Sequence, residues 1–153
     1  MTSPLVQFYE GIATDDRGRR LEDIWRFSDE ELEDVHDYIQ WLFPLTERSA
    51  FNPDAPILDE PTIQKFRTDA ALRRQLERSY QRMREFYANL QWVTPGNHNY
   101  LRLTRILKSL TLLGLGERAA ELLVWLEGIY AEHEGAIGPR TLAFWRAAVG
   151  AHF

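Results

Sequence analysis

From His36 to Pro44 the chain reads His-Asp-Tyr-Ile-Gln-Trp-Leu-Phe-Pro, which brings a histidine, a carboxylate, an amide and the aromatics Tyr38, Trp41 and Phe43 together. A helix built only for packing would place aliphatic side chains inside and charges outside. Polar groups pressed among aromatics are either buried and hydrogen-bonded or form the wall of a site. A second polar set lies at His98, Arg102, Arg105 and Ser109, with spacings of four, three and four. Two arginines near one another on a helix form a fork suited to a carboxylate or phosphate. The plainer reading of that stripe is a solvated face answering the chain's many acids.

His36 and Asp37 are also the adjacent pair used by divalent-metal phosphohydrolases. Those enzymes need a histidine from an earlier helix, and no histidine precedes His36. A two-histidine, one-carboxylate site assembled from His36, Asp37 and His98 is the remaining metal arrangement; a half-buried histidine bonded to a neighbour competes with it. No glycine-flanked serine elbow or phosphate-cradling glycine loop is present. The carboxylates of segments 15–23 and 29–34 read as surface groups. No cofactor is expected, and an enzyme is not the leading reading.

The elements that position these residues read as helices. Ser28-Asp29-Glu30-Glu31 forms a capping box. It predicts a helix over 29–43 with Leu32, Val35, Ile39, Leu42 and Phe43 on one face, closed by Pro44. Prolines 44, 53, 56 and 61 mark an ordered loop in which Phe51, Ile57 and Leu58 seek burial. A short helix over 60–67 follows, with Pro61 in its first turn. Asp69 caps a long helix to about residue 90. Asn97 is set to cap a helix over 97–113 that stops at Gly114. Further helices are expected over 117–134 and from Gly138-Pro139 onward. No strand pattern appears. The prediction is an all-α, single-domain bundle of six or seven helices with a long ordered loop.

The 153 residues suffice for one domain with a real core. No apolar run approaches the ~20 residues of a membrane span, and the N-terminus lacks a secretion signal. The absence of cysteine excludes disulfides and thiolate sites. A net charge of -5 argues against a nucleic-acid partner. There are five tryptophans; Trp92, in a loop after a helix, is the expected exposed anchor for a partner.

Three segments together carry a family resemblance: His36 to Leu45, Ser49 to Pro56, and His98 to Leu110. They resemble the conserved domain of the opioid growth factor receptor family, with a weaker likeness at Met83-Arg84-Glu85-Phe86-Tyr87. The likeness covers about residues 5 to 130. It implies kinship with intracellular, nucleus-associated enkephalin receptors linked to growth inhibition, and it carries over no catalytic residue set. Those receptors have a long C-terminal extension, and none is expected here. The expectation is a short, stand-alone, bacterial version in the cytoplasm, for which an opioid peptide is not the natural ligand.

If the helices of 29–43 and 97–113 pack together, His36, Asp37, Gln40, Trp41, His98, Asn99, Arg102 and Arg105 would border a groove for a peptide or protein partner. The same residues would equally serve as a buried polar lock, with Asp37 paired to Arg102 or Arg105. The leading expectation is therefore a binding domain. A metal- or phosphate-dependent enzyme is the alternative. A structural subunit, self-associating as a homodimer through Trp92 or the C-terminal helix, is the third.

Overall fold

The computed structural model describes residues 3–50 and 52–150. Ten helices and no strand are present among the described residues. They are α1 (Pro4–Tyr9), α2 (Leu21–Trp25), α3 (Asp29–Asp34), α4 (Ile39–Leu42), α5 (Glu60–Thr68), α6 (Ala70–Asn89), α7 (Asn99–Leu112), α8 (Gly116–Glu132), α9 (Glu134–Ile137) and α10 (Pro139–Gly150). The all-α expectation holds. The larger helix count comes from α1, α2 and α9, too short to show a period, and from the division of the expected 29–43 helix into α3 and α4. Packing separates the chain into two compact units that join between Asn89 and Leu90.

In the first unit, local chemistry sets most boundaries. Ser3 caps α1 by accepting from the Val6 N–H at 3.2 Å, and Pro4 occupies the first turn. Ser28 and Glu31 close the expected capping box on α3. Asp59 accepts from Thr62 N–H at 2.9 Å to start α5, and bonds from Thr62 hold the Asp59 carboxyl below its ordinary range. Asp69 does the same for α6, accepting from Ala71 and Leu72. The apolar faces of α1, α5 and α6 meet in a core that includes Leu5, Phe8, Tyr9, Phe66, Leu76 and Phe86. Tyr9 meets Phe66 edge-on at 5.3 Å, and Phe8 meets Trp41 at 5.2 Å. Of the loop apolar residues, Leu58 is buried but Ile57 is exposed. Phe51 lies outside the described residues.

In the second unit, α7 packs against α8 and α10. Leu103, Leu107, Leu110, Leu113, Leu126 and Trp145 are fully buried there. Gly114 adopts φ +96°, a left-handed value that only glycine takes without strain, and it stops α7 where expected.

Candidate functional site

The His36–Pro44 segment is not one helix. Val35 takes an extended conformation (φ -87°, ψ 128°), and the chain resumes a single turn only at Ile39. Three side chains take over the bonds that helix would have made. The Tyr38 hydroxyl donates to the Leu32 carbonyl at 2.6 Å, supplying a donor where the helix N–H has left. The Asp37 carbonyl accepts from Arg19 Nη2 at 3.3 Å and from Asn52 Nδ2 at 3.2 Å.

The same arginine holds the Asp37 side chain. Arg19 Nη1 lies 2.9 Å from Asp37 Oδ1 and Arg17 Nε lies 3.2 Å from Oδ2. Arg19 Nε also donates to Asp15 Oδ2 at 2.7 Å. Asp15 Oδ1 accepts from the N–H groups of Arg17 and Arg19, both at 2.9 Å, which shapes the 15–19 turn. Burial alone would lower the Arg19 pKa, but bonds and charge from Asp15 and Asp37 raise it. Asp15 is therefore a buried ion-pair member and not the surface carboxylate expected of its segment. A partly desolvated cluster of this kind fixes geometry more surely than it adds stability.

Behind this break, Gln40 and Trp41 are buried. Trp41 Nε1 donates to Asp16 Oδ1 at 3.1 Å. Gln40 Nε2 sits 3.4 Å from both the His36 carbonyl and Ser49 Oγ, long contacts for hydrogen bonds. Its Oε1 is buried with no hydrogen-bond partner among the described residues. His36 itself is exposed.

In the second unit, Asn97 Oδ1 accepts from the Asn99 backbone N–H at 2.9 Å and from Asn99 Nδ2 at 3.0 Å. Asn97 thus organises the start of α7, as its capping role predicted, although the helix begins two residues later. Asn99 is fully buried. Tyr100 donates its hydroxyl to the Thr94 carbonyl at 2.6 Å, and its own carbonyl accepts from Trp145 Nε1 at 3.1 Å. Burial raises the Tyr100 phenol pKa in spite of the Thr94 bond. The stripe of His98, Arg102, Arg105 and Ser109 is not a solvated face. Arg102 is 6% exposed and Ser109 is fully buried, while His98 is open to solvent and Arg105 is half-buried.

Trp92 is not an exposed anchor. It is 2% exposed, faces Tyr100 edge-on at 6.1 Å, and lies 6.4 Å from Trp125. Trp25 and Trp125 are half-exposed, and Trp25 was passed over by sequence reasoning because it sits in a five-residue helix. Arg17, Arg19 and Asn52 were passed over too. Their roles depend on chain reversals that bring residues 15–19 and 52 to Asp37, and no local period encodes those. Among the described residues, no three His, Asp or Glu side chains converge in a manner that could hold a metal ion.

The fold and site together define an all-helical protein whose distinctive polar residues divide between solvent-facing positions and bonds that hold backbone. The chain matches the description of the opioid growth factor receptor conserved region over residues 6–94 and 88–151, and it belongs to that family. The two matched stretches meet where the two compact units join. Rat opioid growth factor receptor is 34% identical over 153 residues, covering 84% of this chain and 26% of its own length. The human receptor is 35% identical over 147 residues, covering 79% of this chain and 21% of its own. Mouse opioid growth factor receptor-like protein 1 is 39% identical over 109 residues, covering 59% of this chain and 23% of its own. The chain thus spans about a quarter of the length of these curated relatives. No solved structure matches it. No described helix is long and apolar enough to cross a membrane.

Proposed function

We propose that this chain is a recognition domain for a peptide or protein partner, acting in the cytoplasm, with contacts drawn from the motif residues. The observation that carries the reading is the pre-set break at 35–38. His36 faces solvent on backbone whose next residue is fixed by Arg19, Arg17 and Asn52. A solvent-facing group on an immobilised backbone loses little entropy when a partner engages it. His36 and Asp37 are the contact groups in the first unit; His98 and Arg105 are those in the second. Gln40, Trp41, Asn99 and Arg102, all buried, act as supports that set local geometry. The word receptor in the relatives' names supports binding as the activity of the shared region.

Selection of displayed random peptides against the intact chain tests this reading. The expected result is a set of enriched sequences whose binding drops on His36→Ala and on Arg105→Ala, with the helical circular-dichroism signal retained by both variants. Peptides that bind both variants as well as the parent would remove the motif residues from the contact surface.

A further inference from the structure

A second surface in the first unit has no assigned role. The outward face of α6 borders a concavity of about 470 Å3, lined by Trp25, Arg74, Arg78 and Arg82 with acids at its edge. Two smaller hollows continue it. One, of about 290 Å3, shares Arg74 and includes Tyr9 and Gln75; the other, of about 190 Å3, shares Trp25 and Arg78 and includes Arg20. Arg74 and Arg78 are therefore the ridge between three adjoining hollows.

The chemistry of this ridge is unusual for a chain with net charge -5. Arg74 and Arg78 are both exposed, and neither guanidinium forms an ion pair with a carboxylate among the described residues. Arg78 instead lies over the Trp25 ring, 4.1 Å from its centroid. Trp25 cannot swing away, because its Nε1 donates to Ser79 Oγ at 2.9 Å and its carbonyl accepts from Arg82 Nε at 3.1 Å. Arg82 is held in turn by Asp29 at 2.9 Å and by the Phe27 carbonyl at 2.8 Å. The result is a fixed indole with one exposed arginine against it and a second arginine one turn away.

We propose that this groove binds an acidic segment of a partner protein, with two carboxylates across Arg74 and Arg78 and an apolar side chain against Trp25. The spacing fits. Residues one helical turn apart are separated by roughly 6 Å along the axis, and alternate residues of an extended peptide by about 6.7 Å. Two acids separated by one residue therefore meet both guanidiniums, and an apolar residue two positions further lies on the same face of the peptide, toward Trp25. Glu85 and Glu77 border the same groove and disfavour a longer polyanion, as does the net charge of the chain. A peptide with a few well-placed acids is accepted where a nucleic acid is not. Guanidinium–carboxylate forks set the register, and the indole supplies the desolvated contact.

This surface stands apart from the His36 motif and is tested on the intact chain. The probe is a short fluorescein-labelled peptide with an Asp-Ser-Asp-Ser-Phe core, and its companion carries Asn-Ser-Asn-Ser-Phe. Anisotropy titrations are run in physiological salt, with inorganic phosphate and a single-stranded oligonucleotide as competitors. The proposal expects saturable binding of the Asp-Ser-Asp-Ser-Phe peptide, a loss of roughly tenfold or more with the Asn-Ser-Asn-Ser-Phe peptide or with the Arg74→Glu/Arg78→Glu chain, and no change with His36→Ala. Circular dichroism confirms that the charge-reversed chain keeps its helices, as expected for exposed positions. No binding of the acidic peptide, equal binding of both peptides, undiminished binding by the charge-reversed chain, or full displacement by the oligonucleotide or phosphate would each overturn it. Loss of binding on His36→Ala with Arg74→Glu/Arg78→Glu unaffected would move the peptide to the motif surface and leave the earlier reading standing alone.

Discussion

In the first unit, Ser79 of α6 is bonded to Tyr9 of α1 and to Trp25 of α2, residues 70 and 54 positions away. In the second unit, the threonine hydroxyls Thr104 and Thr111 of α7 bond within their own helix, to the Tyr100 and Leu107 carbonyls. The first unit joins helices of four to six residues (α1 to α4) to a nine-residue and a twenty-residue helix. Helices that short are unstable alone, so their geometry is borrowed from side chains elsewhere. The second unit is built mainly from α7, α8 and α10, of 14, 17 and 12 residues, whose apolar faces suffice to bring them together. The first unit therefore leans on long-range polar bonds to place its short helices, whereas in the second, where Trp145 to the Tyr100 carbonyl is one such bond, the apolar faces do most of the assembly.

That contrast is sharpest in its response to core truncation. Leu110 is fully buried on α7. Leu110→Ala should cost about 3 kcal/mol in urea unfolding, from lost transfer free energy plus the cavity left behind. A cost below about 1 kcal/mol would mean that the leucine face does not carry the second unit.

Ser79→Ala probes the first unit by removing a hydroxyl rather than apolar volume. Tyr9 donates to the Leu42 carbonyl at 2.5 Å and sits 2.9 Å from Ser79 Oγ. A phenol has one proton, so with that proton on Leu42 the serine supplies its own to Tyr9 and accepts from Trp25. The substitution strands both a buried phenol oxygen and an indole N–H. Burial already raises the Tyr9 phenol pKa, and the Ser79 bond offsets part of that rise. The expected cost is about 2 kcal/mol, from groups left unsatisfied, together with a change in tryptophan emission as Trp25 is released. A substitution neutral in both readouts would show that the first unit does not depend on its polar crosslinks.

What could be read from the sequence follows the same division. Ser28, Asp69, Pro61 and Gly114 act on residues within a turn of themselves, so their roles were legible. The long periods of α6, α8 and α10 were legible for the same reason. The break between α3 and α4 was not, because the capping box and the apolar spacing of Leu32, Val35 and Ile39 both favour continuing the helix. It is overruled by Arg19 and Asn52, which are 18 and 15 residues from Asp37. Asp15 read as solvent-facing because its partner Arg19 gives no hint of burial in sequence. Trp92 read as exposed because a loop position says nothing of Tyr100 and Trp125 closing over it. The motif's residue types were visible, and the family with them. Which members face solvent was fixed by distant contacts.

The smallest expected effect isolates the break itself. Tyr38→Phe keeps a buried aromatic that packs edge-on with Phe27 at 5.9 Å and deletes the donor to the Leu32 carbonyl. The global cost should be about 1 kcal/mol, that of one net hydrogen bond. The local effect should be larger in proportion, because the end of α3 loses the donor that replaces its missing N–H. Hydrogen exchange at residues 35–38 should quicken while exchange in α6 and α7 stays as it was. If the break opens in this way and selected peptides bind more weakly, the rigidity of His36's surroundings is part of recognition. If exchange quickens and binding is unchanged, His36 acts by its chemistry and not by its fixed position. If neither moves, Arg19 and Asn52 suffice to hold the break, and the polar specification of the first unit rests on the Asp37 side of the segment.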